Sequence, residues 1–372
     1  MTDAIHPERL AYQADWPEAR RRWAAVWDRA NTDRPLLWIT GPNPTARKDW
    51  PPLPEVKSNE DLYMDPEYVS QSLLRSLDTT YFAGEAFPVS PYLMGAWALG
   101  CGPDVTFAEN TVWHPILMRS IGDPLSWKPG PDDPWRRKLM RVVERLLDLA
   151  PGQFLVGRVC QTMVNDLLPL IRGSQAFLLD LADDAAKCRR RLEEMLPLWL
   201  ADFEHFRRLI ETRQPGTGCA WGWPGLWHPT VVMVSQSDMS CMISTEMFDQ
   251  YVMAELDYIG ERYPCVWYHL DGSGALHHLP RLLSLPYIRM IQYVPEHPDR
   301  PNGPLYLDLY RRIQAAGKGL DIYVPFEHME FLIRHLRPEG LILRTGAPNV
   351  DAARELIDDA AQWSGSRAKE GV

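Results

Sequence analysis

The segment Tyr268-His269-Leu270-Asp271-Gly272-Ser273-Gly274 sets an imidazole and a carboxylate two positions apart. It follows a short apolar run, Cys265-Val266-Trp267-Tyr268, that reads as a buried strand. A glycine turn and a helical pattern from Ala275 come after it. Side chains two apart on a strand share a face. His269 and Asp271 are therefore expected to project together from a strand's carboxyl end, where α/β enzymes place their chemistry. Such a pair can bind a metal, transfer a proton or hold a polar substrate. The bland alternative is a structural His–carboxylate hydrogen bond.

Other polar groups fall at the ends of strand-like runs: Glu85, Asp238, Gln292, Glu327, His328 and Arg344. Gathered round one barrel mouth, they would perturb one another's pKa values enough for acid–base work. Glu327 and His328 follow Pro325, and neighbours on an extended segment face opposite ways, so only one should reach a pocket. Glu327 is preferred as a third catalytic group beside His269 and Asp271. Glu85, Asp238, Gln292, His328 and Arg344 are candidate substrate contacts. Arg344 could grip a substrate carboxylate or pair with a barrel acid, and Gln292 could serve substrate or a loop. Asp238 lies too far upstream to cap the helix near residue 245, for which Thr245 is the expected N-cap. His277-His278 sits in a helical pattern, where sequence neighbours do not face each other, so joint metal binding is not expected. Closely spaced tryptophans in Trp221-Gly222-Trp223-Pro224-Gly225-Leu226-Trp227 either give a methylated substrate an apolar, cation–π surface, through Trp223, or seal the barrel or a homodimer interface.

Strand and helix patterns alternate along the chain that must position these groups. A helix covers Trp16 to Ala30, and Pro35 to Thr40 reads as a first strand. Pro66 to Leu77 reads as a helix with Asp65 as N-cap. Tyr81-Phe82-Ala83 leads into a second strand at Glu85 to Val89, and Phe154 to Val159 reads as a third. A long helical region from Asp166 to about Thr212 breaks near Gly173 and Asp183-Asp184. From Val231 onward the alternation is regular. Strands starting near 35, 81, 154, 231, 265, 288, 320 and 340 number about eight, as in a (β/α)8 TIM barrel. The expectation is one barrel domain over 1–372, with a helical extension over about 1–33, inserted loops, and a frayed tail over about 365–372.

Composition narrows the function. Lys+Arg 39 against Asp+Glu 49 gives a net charge of −10, which disfavours nucleic-acid partners. Hydrophobic residues at 45% are enough for a sizeable core. No apolar window is long enough to span a membrane, and Met1 to Gln13 does not read as a signal peptide. The scattered cysteines contain no CxxC, so a cytoplasmic protein with reduced thiols is expected. No GxGxxG or Walker A sequence is present.

Ser237-Asp238-Met239-Ser240-Cys241-Met242, His269-Leu270-Asp271-Gly272 and Ile291-Gln292-Tyr293-Val294-Pro295 resemble segments of the uroporphyrinogen decarboxylase superfamily. The resemblance runs from about Arg34 to Ala361 and implies the barrel fold. The haem-pathway decarboxylases carry an arginine-bearing loop after the first strand. Here Ile39-Thr40-Gly41-Pro42-Asn43-Pro44 has none, so porphyrinogen decarboxylation is not expected. Zinc-dependent methyltransferases of the superfamily carry His-x-Cys and a second Cys near the last strand. This chain has His269 but Asp271, and Arg344-Thr345-Gly346-Ala347 without Cys. The resemblance thus implies a methyltransferase or demethylase moving a methyl group between a small O- or N-methyl substrate and a corrinoid (cobalamin) held by a partner protein. A divalent metal such as zinc would sit on His269 and Asp271. A lyase acting on a small carboxylic acid and a non-catalytic ligand-binding barrel remain the alternatives.

Overall fold

A computed structural model describes residues 9–366. The start of the polar amino-terminal segment and most of the expected frayed tail lie outside the described residues. Gly365 and Ser366 complete the last helix, Val350–Ser366. A seven-stranded sheet organises the molecule. Its strands are β1 (Leu36–Pro42), β2 (Thr80–Gly84), β3 (Met233–Gln236), β4 (Val266–Asp271), β5 (Ile288–Val294), β6 (Gly319–Tyr323) and β7 (Leu341–Gly346). Their order is β2-β1-β7-β6-β5-β4-β3, and every pairing is parallel except β1 with β2.

The apolar runs seen in the sequence are buried on both faces, as parallel strands covered by helices must be. Ile342, Leu343, Ile288 and Ile291 are each fully buried. Helices follow the expected spacing, with breaks after Arg172 and Asp183. Asp65 caps the helix Pro66–Thr79 by accepting from the Tyr68 backbone N–H at 2.7 Å. For the helical segment starting at Thr245 the cap is Ser244 rather than the expected Thr245, its hydroxyl accepting from Met247 N–H at 3.2 Å.

Two expected strands differ. The chain turns back after the helix Pro66–Thr79, so β2 runs antiparallel to β1. Glu85 to Pro88 and Phe154 to Val159 are buried and Val89 is partly so, yet the two segments share only the parallel bridge Val89–Leu155. Side chains satisfy the backbone that a ladder would have used: Val156 N–H donates to Gln214 Oε1 at 3.0 Å and Gly157 N–H to Ser90 Oγ at 2.9 Å. Pro88 also removes a donor.

The first helix, Trp16–Trp27, packs its tryptophans under the sheet. Trp23 Nε1 donates to Glu85 O at 2.9 Å, and Trp27 Nε1 donates to Trp227 O at 2.8 Å. Among the described residues no helix is long and apolar enough to cross a membrane.

A hairpin of Cys219–Trp221 and Leu226–His228 crosses the Phe154 to Val159 segment, with Arg158 N–H donating to Ala220 O at 2.8 Å. Its tip begins at Gly222, where a Cβ would stand 2.0 Å from Ser90 O and 2.7 Å from the Pro91 carbonyl carbon. All of these atoms are backbone of the Ser90-Pro91 stretch, so they cannot yield without moving that loop. Gly222→Ala is expected to lower stability by about 1–3 kcal/mol through overpacking. Chemical denaturation checks this, and an unchanged midpoint would refute the close approach.

Candidate active site

A cavity of about 350 Å³ opens at the carboxyl ends of β3 and β4. A larger recess of about 510 Å³ beside the helix Pro66–Thr79 has hydroxyl and apolar walls and no carboxylate, imidazole or cation. The smaller one is lined by Asp238 and His269.

His269 is set by strand geometry. Trp267 and His269 share a face of β4, their rings 6.3 Å apart and nearly parallel at 11°. Trp223 from the hairpin tip meets the His269 ring edge-on at 5.1 Å. β5 lies alongside in register, with His269 opposite Gln292. His269 Nδ1 is hydrogen-bonded to Gln292 Oε1. An amide oxygen only accepts, so Nδ1 carries the proton and Nε2 is left to face the cavity. The side chain of Asp271 is 48% exposed, with Oδ1 4.0 Å from His269 Nε2.

Asp238 follows β3 at the start of a helical turn, Asp238–Met242. Its backbone N–H donates to Asp166 Oδ1 at 2.9 Å, and its Oδ2 accepts from Gln236 Nε2 at 3.0 Å. Gln236 Nε2 also reaches Asp166 Oδ2 at 3.3 Å. Asp238 is exposed at the cavity mouth, yet the atoms around it strip enough water to shift its carboxyl upward; His269 opposes the shift and Asp271 reinforces it. Asp166, buried behind it, is pushed well above its ordinary value by burial and then by the Asp238 charge. Glu255 fixes that wall by accepting from Val164 N–H at 2.8 Å and Asn165 N–H at 2.7 Å, and burial lifts its carboxyl to about 7.

The structure therefore brings Asp238, His269 and Asp271 together, with one ligand atom from each lying within 4.8 Å of the others. A nitrogen and two carboxylate oxygens form a donor set that suits a borderline divalent ion. The Gln292 contact on Nδ1 is the outer hydrogen bond that such a histidine needs. The same groups without an ion can exchange a proton with a ligand.

The remaining candidates lie elsewhere. Glu85 does not reach the mouth. Because β2 runs backwards, its carboxyl end lies beside the amino end of β1, where Glu85 accepts from Arg34 NH2 at 2.6 Å and Leu37 N–H at 2.7 Å. Glu327 is exposed in an outer groove with Glu330, Glu355 and Asp359. His328 packs on Gly303. The reason is Pro325, after which the chain enters a helical turn, Phe326–His328, so strand alternation no longer applies.

Arg344 pairs with an interior acid. Its Nε and NH2 donate to Asp321 Oδ1 and Oδ2 at 2.6 and 2.8 Å, and NH1 donates to Gly225 O at 3.2 Å. Its guanidinium also lies 5.0 Å from the Trp38 ring centre. His277 and His278 each bond a backbone carbonyl, Ile243 O and Ser240 O, both at 2.9 Å. Of the clustered tryptophans, Trp221 and Trp223 line the cavity. Trp227 instead packs edge-on against Trp16 at 5.7 Å.

Sequence reasoning missed Tyr92, Trp97, Gln161 and Thr162 in the cavity wall, and Asp166 and Asp321 behind it. Asp321 left a signal, a lone carboxylate inside the apolar run Leu320-Asp321-Ile322. Asp321→Asn would leave the Arg344 charge buried without its counter-ion. A loss of about 3–5 kcal/mol is expected by denaturant unfolding, and a change under 1 kcal/mol would contradict the pairing. In comparisons with known proteins, no family model matches the chain, and no curated protein matches it significantly in sequence.

Proposed function

We propose that this chain is a methyltransferase component that moves a methyl group between a small methylated substrate and a corrinoid held by a partner protein. The observation that carries the reading is the convergence of Asp238, Asp271 and His269 Nε2 on an aromatic cavity at the strands' carboxyl ends. Parallel β/α proteins place their active sites at that end. The mostly parallel sheet is compatible with a (β/α)8 barrel, and the uroporphyrinogen decarboxylase type rests on the sequence resemblance around Asp238, His269 and Gln292.

In this reading Asp238, gathered with His269 and Asp271 at the cavity, relays the proton that an oxygen leaving group needs. As the methyl–oxygen or methyl–nitrogen bond breaks, the departing atom keeps the bonding pair; an oxygen takes a proton relayed through Asp238, whereas an ammonium nitrogen leaves as the neutral amine and needs none. His269, its tautomer set by Gln292, then passes a proton back to Asp238 from solvent at the Asp271 rim. The partner's corrinoid would supply the cobalt nucleophile that receives the methyl group. Asp238, His269 and Asp271 would hold a divalent ion if one is bound, and it would supply Lewis acidity at the leaving atom. A lyase gripping its substrate's carboxylate through Arg344 has less support, because Asp321 and Gly225 already occupy that guanidinium.

Reduced cobalamin offered with a panel of methoxy-aromatic and methylamine substrates should be methylated by the wild-type protein. His269→Ala should slow that transfer by roughly 100-fold or more with the fold intact by circular dichroism. Full activity in the variant would sink the assignment. Elemental analysis of the purified protein decides between the two forms of the site. About one divalent ion per chain, lost in Asp238→Asn, is the outcome that favours the metal form.

A further inference from the structure

We infer that the cavity takes its ligand as a protonated amine, held by aromatic faces and the Asp238 carboxylate. The inference rests on the methyl-transfer reading and narrows its substrate to the N-methyl class. Three observations point the same way.

The first is charge. No lysine or arginine lines the cavity, while Asp238 does, and Asp271 stands beside it at the rim. Arg344, the nearest candidate cation in sequence reasoning, is consumed by Asp321. An anionic ligand would meet carboxylates with no counter-charge, whereas a cation supplies what the wall lacks.

The second is the aromatic wall. Tyr92 lies 6.2 Å from Trp97 and 6.3 Å from Trp223, ring centre to ring centre, so the three rings form one continuous surface. Their polar handles are largely spent inside the protein. Trp97 Nε1 donates to Tyr92 Oη at 2.8 Å, and Tyr92 Oη donates to Cys160 O at 3.1 Å. Trp221 Nε1 donates to Val232 O at 2.8 Å. Tyr92, Trp97 and Trp221 therefore present ring surface rather than donors, and ring faces attract cations.

The third is the balance of the remaining polar groups. Gln236 gives its amide N–H to Asp166 and Asp238, and Gln161 gives its own to Leu99 O at 2.6 Å. His269 gives Nδ1–H to Gln292 and turns an acceptor, Nε2, toward the cavity. The wall is rich in acceptors, so the matching ligand brings N–H donors. An ammonium with at least one N–H satisfies Asp238 directly, and its methyl groups rest on the rings.

Calorimetric titration without cobalamin tests this apart from methyl transfer. The probes are N-methylbenzylammonium, benzyl methyl ether as its neutral counterpart, and benzoate. Chelator is included throughout, because an ion on Asp238, His269 and Asp271 would take up the same negative charge. The ammonium should bind at least about tenfold tighter than the ether, and benzoate should bind most weakly. Asp238→Asn keeps the side chain's shape and should remove most of the ammonium's advantage over the ether. Ether or benzoate binding as tightly as the ammonium in the wild-type protein overturns the inference, with no reliance on any variant. Ammonium binding without methyl transfer to cobalamin upholds the inference and rejects the proposed reaction.

Discussion

Asp321 is a fully buried carboxylate in the middle of a sheet, and much of the interior is arranged around it. It accepts two bonds from Arg344 on β7 and one, at 2.9 Å, from Trp267 Nε1 on β4. Strands that are not neighbours are thereby tied across the interior. An ion pair removed from water is costly unless every remaining lone pair and proton finds a partner. Here Gly225 O takes the guanidinium's third contact and Trp38 covers its face. The fixed Trp267 indole in turn supports Trp223 at 5.7 Å and lies parallel to His269. The orientation of the His269 imidazole is therefore inherited from a salt bridge that does not line the cavity.

Strand alternation carries this support upward. Trp267, His269 and Asp271 occupy alternate positions on one face of one strand, so each level adds a different group: an anchored indole, an imidazole, then a solvent-facing carboxylate. Β-strand register brings Gln236 and Gln292 level with His269 from either side. The histidine is thus held by the sheet itself, and the loops contribute Asp238 and the aromatic wall. Rigid elements fix the reacting atom while loops shape what can approach it.

Period and punctuation made the sheet legible in the sequence. The apolar runs from Val231 onward, the Asp65 cap and the breaks at Gly173 and Asp184 all follow local rules, and His269-x-Asp271 needed only strand parity. Asp238 was legible as a polar residue just past a strand. Failures arose where long-range pairing decides. Nothing local to Thr80–Gly84 reveals that it runs against β1, and that reversal alone carries Glu85 to the opposite end. Glu327 was misplaced because Pro325 ends extended backbone one turn earlier than alternation assumes. Tyr92, Trp97 and Asp166 belong to segments without a repeating pattern, so their meeting depends on tertiary packing.

The hydrogen bonds that tie off Tyr92, Trp97 and Trp221 have a consequence for solvent. Water entering the chamber meets ring faces over much of its surface and finds few partners away from Asp238 and His269. Poorly held water is displaced with little loss of enthalpy, and its release favours an incoming apolar group. The wall thus lowers the local polarity around the carboxylate before anything binds. A charged group placed there meets the protein's fixed dipoles and ring faces in place of part of its water shell.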